Sequence, residues 1–121
     1  MTTTLSLGPP PSINALWRNG KGRTFRSHRY ISWLRDAGWE LRSQKPARFT
    51  GPVTITVAAG RPDNRKRDLD NIATKAVLDL LVAHRVLIDD SLVTSLAARW
   101  DDAVPAGRIT VTIESALERA V

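Results

Sequence analysis

The stretch RKRDLDN, residues 65–71, sets three cations directly against two carboxylates that are spaced two residues apart. In an extended segment, Asp68 and Asp70 point the same way, roughly 6–7 Å apart, and Leu69 points into the core between them. Two converging carboxylates repel each other unless one is protonated or a cation lies between them. Hard oxygen ligands of this kind suit Mg²⁺, with Mn²⁺ as an alternative. The spacing therefore predicts a site for a hard cation.

A second acidic pair, Asp89 and Asp90, follows after one predicted helix and a short turn. Adjacent strand residues face opposite ways, so only one of the two should join the first pair, and the residue pattern leaves open which one. Three carboxylates with Lys75 form a set suited to phosphodiester hydrolysis. A metal polarises the phosphoryl oxygen and makes a hydroxide available near neutral pH, and Lys75 can neutralise charge in the transition state.

Basic residues surround this acidic set and give the chain a formal net charge of +6. Such a charge favours an anionic partner, nucleic acid first. The arginines and lysines would hold backbone phosphate, which gives affinity but little sequence specificity. The predicted DNA-binding residues fall in two groups: Arg18, Lys21, Arg23 and Arg26, and then Arg65, Lys66 and Arg67.

Structural roles compete with each of these assignments. Asp70 or Asn71 can cap a helix and favour its positive end. Lys75 and Asp79 stand at i,i+4 and can form a surface ion pair. The second acidic pair and the early basic cluster can equally be a solvated turn and a solvated loop.

Composition narrows the class of protein further. The 121 residues are enough for one small domain, which we expect to span residues 1–121. Without cysteine and with only two histidines, the chain offers no thiolate site and little basis for zinc. No apolar run approaches the length of a membrane span, and no signal-peptide pattern is present. We expect a cytoplasmic protein with neither a membrane partner nor an organic cofactor.

The periodicity predicts an α+β fold of order β-α-β-α-β-β, with a four-stranded mixed or antiparallel sheet packed by two helices. Residues 13–26 read as an exposed basic loop. Ser27 caps the first helix, to about residue 44, whose apolar stripe includes Ile31. Asn71 caps the second, over about 72–84. The predicted strands cover residues 3–7, 52–59, 92–100 and 107–114.

Two longer stretches, PPPSINALWRNGKGRTFRS (9–27) and DLDNIATKAVLDLLVAHRVLIDDSLV (68–93), together resemble the RusA-type Holliday-junction resolvases. The resemblance implies a Mg²⁺-dependent endodeoxyribonuclease whose homodimer nicks opposed strands of a DNA four-way junction. It implies metal ligands at Asp68, Asp70 and Asp90, with Asp89 as the other half of the acidic pair. Lys75 matches the essential lysine of the family.

One departure from the family pattern concerns the second helix. Three residues, 72–74, separate Asn71 from Lys75 where the family usually has two. One extra residue turns a helix by about 100°. We therefore expect this helix to start later than the family pattern implies.

Two matched cuts call for two identical sites, which a C₂ dimer provides. For the dimer face we expect the outward side of helix 72–84, including Leu78 and Val82. A non-catalytic nucleic-acid-binding module, and a nuclease acting on forks, flaps or RNA, are the alternative functions. The sequence does not decide the number of metals or the cleavage preference.

Overall fold

The computed structural model describes residues 1–61, 69 and 72–116. Within these residues it contains two α-helices, six strands and two short 3₁₀ turns, the latter at Ile13–Ala15 and Asp90–Leu92. In chain order, the helices and strands are β1 (Thr2–Leu7), β2 (Trp17–Gly20), β3 (Arg23–Arg26), α1 (His28–Ser43), β4 (Val53–Ala59), α2 (Thr74–Ala83), β5 (Val93–Trp100) and β6 (Ile109–Ser115).

Four of these strands form one mixed sheet in the order β1-β6-β4-β5. β6 runs antiparallel to both of its neighbours, whereas β4 and β5 are parallel and are connected through α2. A parallel pair needs such a crossover, because a tight turn cannot join two strands that run the same way. The predicted α+β class and the four-stranded mixed sheet are therefore confirmed.

The helices cover one face of this sheet. Along β4 and β6, Val53, Ile55 and Val57 alternate with half-buried threonines, and Val111 and Ile113 do the same. Period-2 burial of this kind is expected for a sheet with one covered face. This alternation fixes the register of the strands, since a one-residue slip would turn the apolar side chains outward.

Helix α1 begins where it was predicted to begin. The Ser27 side chain accepts a hydrogen bond from the Tyr30 N–H at 3.1 Å, which confirms the N-cap. The predicted apolar stripe is wrong at Ile31, which is 52% exposed. The buried face instead includes Tyr30, Trp33 and Ala37, and the Tyr30 hydroxyl reaches Asp79 of α2.

Helix α2 starts at Thr74, with Ala73 at the N-cap position and no side-chain cap. The Ile72 N–H donates to the Leu69 carbonyl at 3.1 Å. Asn71 itself lies outside the described residues, but the prediction that it is the N-cap is wrong, because Ala73 occupies that position. The helix begins at residue 74 rather than at about 72 as predicted, and a start later than the family pattern stays a prediction.

The two helices meet closely at Gly38. A β-carbon on Gly38 would lie 2.6 Å from Nε2 of His84, the residue that ends α2. Burial and the nearby Arg42 cation lower the pKa of His84, which favours the neutral ring in this contact. This crossing brings the face of α1 that carries Tyr30 against α2.

The predicted loop over residues 13–26 is wrong, because β2 and β3 form an antiparallel hairpin there. Lys21 and Gly22 are its two-residue turn, and both have positive φ, at 44° and 79°. Two positive φ angles define the hairpin turn whose twist matches the flanking strands. In the described part of the chain, no helix is long and apolar enough to cross a bilayer.

Candidate active site and basic hairpin

Lys75 lies in the first turn of α2 and contacts two carboxylates. Its Nζ is 3.2 Å from Oδ1 of Asp79 and 3.8 Å from Oδ2 of Asp90. The first contact is the i,i+4 pair predicted from the sequence. The second shows that the chain returns to Lys75 after α2 ends. We call Lys75, Asp79, Asp89 and Asp90 the acidic corner.

Asp79 also has a partner on the other helix. The Tyr30 hydroxyl donates to Oδ2 of Asp79 at 2.5 Å. Tyr30 is completely buried, and burial together with the Asp79 carboxylate raises its pKa well above the usual range. Tyr30 was not among the residues predicted for the site. In the sequence, only the i,i+4 spacing of Lys75 and Asp79 pointed to this part of the site. The contribution of Tyr30 could not be predicted, because 49 residues separate it from Asp79.

The two residues of the second acidic pair have different environments. Asp89 is the N-cap of the 3₁₀ turn Asp90–Leu92, and its Oδ2 accepts from both the N–H and the hydroxyl of Ser91. These hydrogen bonds lower the pKa of Asp89. Asp90 is half-exposed and faces Lys75. The pair therefore divides into a turn-forming carboxylate and a carboxylate directed at the lysine.

Most of the stretch RKRDLDN, residues 65–71, lies outside the described residues. Asp68, Asp70 and Asn71 belong to this part, as do the three predicted phosphate-binding residues Arg65, Lys66 and Arg67. At Leu69 the structure shows a half-buried residue in a turn, so the extended conformation expected there is wrong. Among the described residues alone, no group of three potential metal ligands comes together.

The other predicted DNA-binding residues lie on the hairpin Trp17–Arg26, which we call the basic hairpin. Its strands place Arg18 opposite Phe25 and Trp17 opposite Arg26, so these pairs occupy opposite faces. Trp17 and Arg26 contact the Tyr30 ring, at 5.9 Å and 5.4 Å. Arg18 and Arg23 therefore lie on the face opposite to the one that contacts the Tyr30 ring, and the exposed Lys21 lies at the tip.

The base of the basic hairpin is fixed to the start of α1. The Ser27 N–H donates to the Leu16 carbonyl at 2.9 Å, and the Ser27 hydroxyl donates to the Ala15 carbonyl at 2.6 Å. An open pocket of about 270 Å³ lies beside these bonds. Its lining includes Arg18 and Arg29, so it adds a concave basic surface to the hairpin.

Comparison with known proteins identifies the type of enzyme that shares this arrangement. The family model for endodeoxyribonuclease RusA matches residues 7–114, which include both the basic hairpin and the acidic corner. The chain therefore belongs to the RusA family of endodeoxyribonucleases, as its motifs indicated.

Individual relatives align with this chain over most of their length. The chain is 33% identical over 105 residues to the crossover junction endodeoxyribonuclease of Enterobacteria phage HK97, covering 86% of this chain and 87% of that protein. It is 32% identical over 90 residues to the enzyme of the same name from Aquifex aeolicus, covering 74% and 71%. With the Escherichia coli K12 enzyme it shares 29% identity over 113 residues, or 93% of each chain.

Proposed function

We propose that this protein is a divalent-metal-dependent endonuclease that resolves DNA four-way junctions as a homodimer. The observation that carries the proposal is the convergence of Lys75 and Asp90 in a member of an endodeoxyribonuclease family. The family implies a requirement for a divalent metal, and we assign Mg²⁺ with Mn²⁺ as a substitute. DNA as substrate is consistent with action in the cytoplasm.

The donor set fits a hard cation. Asp90 presents an accessible carboxylate whose contact with Lys75 is loose, at 3.8 Å, so its oxygens can accept a metal. Asp68 and Asp70 would complete the ligands, on the basis of the family pattern. A bound Mg²⁺ supplies Lewis acidity toward the phosphoryl oxygen. Asp89 is engaged with Ser91 and instead holds the turn that presents Asp90.

Lys75 performs the electrostatic part of the reaction. In hydrolysis, a water oxygen bonds to phosphorus while the bond from phosphorus to the leaving oxygen breaks, and that oxygen takes up a proton. Negative charge grows on the phosphoryl group as this happens. The Lys75 ammonium, held by Asp79, stabilises this charge.

The basic hairpin binds the substrate. Arg18, Lys21 and Arg23 lie away from the core, where they can contact backbone phosphates. Arg26 packs over the buried Tyr30 ring and so combines a charge with a structural contact. Arg65, Lys66 and Arg67, which directly precede Asp68 in the sequence, would add further phosphate contacts. Such contacts position a duplex arm without reading its sequence.

The homodimer supplies the second active site needed for paired nicks. Leu78 and Val82, on the expected dimer face of α2, are half-buried in the single chain. Sedimentation of the protein with a synthetic four-way junction tests the assignment. A complex containing two chains is expected, and one chain per junction would refute it.

Asp90→Asn and Asp89→Asn test the site directly. Asn at position 89 can still cap the turn, whereas Asn at position 90 loses the negative charge of the metal ligand. We expect Asp90→Asn to lower the single-turnover cleavage rate at least about a hundredfold, with junction binding retained. Asp89→Asn should keep most of the rate. Equal activity of the two variants would contradict the assignment, and EDTA should abolish cutting by the unaltered protein.

Substrate choice separates this proposal from the alternative nuclease function. Cleavage of a four-way junction, a replication fork, a flap and a structured RNA should be compared at one salt concentration, because affinity varies steeply with salt. Symmetric nicks in the junction are expected. Faster cutting of forks or flaps would favour the alternative.

A further inference from the structure

Lys75 is held through a chain of contacts that begins inside the core. Its own side chain is 60% exposed, so nothing in its immediate packing fixes the position of Nζ. Asp79 is only 20% exposed and supplies the nearer of its two carboxylate contacts. Tyr30, which is fully buried, supplies the contact to Asp79. Burial therefore decreases from Tyr30 to Asp79 to Lys75.

The Tyr30 hydroxyl is fixed by several independent contacts. The Tyr30 backbone N–H donates to the Ser27 side chain, and the Tyr30 ring is stacked on Trp33 with 6.4 Å between ring centroids. The Trp17 ring packs edge-on against it, and the Arg26 guanidinium lies over it. These contacts restrain the backbone and the ring of Tyr30, and its hydroxyl donates to Oδ2 of Asp79.

The two oxygens of Asp79 have different partners. Oδ2 accepts from Tyr30, which leaves Oδ1 for Lys75. The final torsion of a carboxylate is soft, so an unrestrained Asp79 would rotate between orientations. The hydrogen bond at Oδ2 removes that freedom and keeps Oδ1 directed at Nζ. A long lysine would otherwise lose its rotamer freedom only when it is ordered during the reaction.

We propose that Tyr30 and Asp79 are positioning residues that hold the Lys75 ammonium ready beside Asp90. This inference rests on the proposed function, since it assigns Lys75 to the cleavage step. Neither residue touches the DNA or the metal in this role. Their effect is on the fraction of molecules in which Nζ is correctly placed, and hence on kcat rather than on junction affinity.

The test compares Tyr30→Phe with Glu40→Ala. The first variant removes one hydroxyl and keeps the ring. The second removes a tether of α1, in which Glu40 accepts the Gly8 N–H at 2.9 Å and pairs with Arg108 at 2.8 Å, away from Asp79. We expect Tyr30→Phe to lower kcat about tenfold with KM unchanged. Glu40→Ala should lower the melting temperature but leave kcat within twofold. Equal loss of kcat in both variants would show a merely structural role and overturn the inference.

A double-mutant cycle with Asp79→Ala adds a readout that general destabilisation cannot imitate. If Tyr30 acts through Asp79, adding Tyr30→Phe to Asp79→Ala causes no further loss of kcat. Additive losses would overturn the inference. If the unaltered protein cuts junctions and Tyr30→Phe keeps the full kcat, only the positioning role is overturned. Absence of junction cutting by the unaltered protein overturns the proposed function and the positioning role together.

Spectroscopy provides a test that does not depend on the folding of Tyr30→Phe. Tyr30 is the only tyrosine in the chain, so protein labelled with ¹³C at the tyrosine ζ-carbon gives one resonance. We expect this resonance to shift in Asp79→Ala and to remain unchanged in Glu40→Ala. An unchanged resonance in Asp79→Ala would mean that the hydrogen bond does not exist in solution, which would overturn the inference.

Discussion

The basic hairpin and the acidic corner belong to the same small domain but depend on it differently. Every strand residue of the hairpin is exposed or half-exposed, and hydrogen bonds close it on itself. Two-stranded ribbons of this kind are marginal alone, and this one is held at its base by Ser27 and by the Tyr30 ring. α2, in contrast, buries Ala76, Val77 and Leu80 completely.

This difference in packing suits the two regions to different tasks, DNA binding for the basic hairpin and the cleavage reaction for α2. Phosphate contacts tolerate small displacements because they are electrostatic and long in range. A cleavage step does not tolerate them, since a displacement of about 1 Å can cost a hundredfold in rate. The hairpin therefore suits substrate binding, and the packed helix suits the reaction. Variants in the two regions should fail in different ways.

The largest expected effect is at Lys75. Lys75→Met keeps the side-chain length and removes the charge, so it should lower kcat by about 10²–10³ while junction binding remains. Lys45→Met, at an exposed lysine outside both regions, is the matched control and should be silent. Single-turnover cleavage under saturating protein measures the effect. A Lys75→Met enzyme that cuts at the normal rate would remove the acidic corner from the mechanism.

The basic hairpin should show the opposite pattern. Arg18→Ala combined with Arg23→Ala removes two expected phosphate contacts. The slope of log K against log salt should then become shallower by about 2. The saturated cleavage rate and the melting temperature should stay near those of the unaltered protein, because both side chains are exposed.

A control for the hairpin variant is Arg35→Ala with Arg48→Ala, which carries the same charge change at exposed positions elsewhere. Its salt slope should be unaltered. If both double variants changed the slope equally, net charge rather than the hairpin would govern binding, and the two regions would not differ in the proposed way.

The smallest effect concerns Tyr30, where the two regions meet. Its pKa is raised in the folded state, so the unfolded chain loses the phenol proton first as the pH rises above about 10. The folded state binds more protons in that range, and its stability therefore falls with rising pH. Urea midpoints at pH 9, 10 and 11 should drop more steeply for the unaltered protein than for Tyr30→Phe. Parallel curves would contradict the raised pKa.

Local sequence patterns predicted the elements of this fold well. The alternation in β4 and β6 and the Ser27 cap depend on neighbouring residues alone, and each matched within about two residues, the accuracy expected of such boundaries. The hairpin was missed although its Lys21-Gly22 turn is a local signal. Its arginine-rich strands bury little apolar surface, so the usual alternation of a half-buried strand is absent.

The candidate site was less accessible to sequence reasoning. The pairing of Lys75 with Asp79 follows from helical spacing, but its contact with Asp90 depends on how the chain returns after α2. The role of Tyr30 depends on how α1 crosses α2 at Gly38, which no local pattern encodes. Asn71 was a reasonable cap by residue type, yet the helix begins at Thr74 with Ala73 at the N-cap position.

The central proposal is that Asp90 shares a hard cation with Asp68 and Asp70 beside Lys75. A crystal structure with Mn²⁺, located by its anomalous scattering, tests this most directly. We predict an ion bound by carboxylate oxygens of Asp90 and of at least one of Asp68 and Asp70, with Lys75 nearby. An ion bound elsewhere, or an Asp90 carboxylate that stays unligated at saturating Mn²⁺ while the protein cuts junctions, would contradict the account.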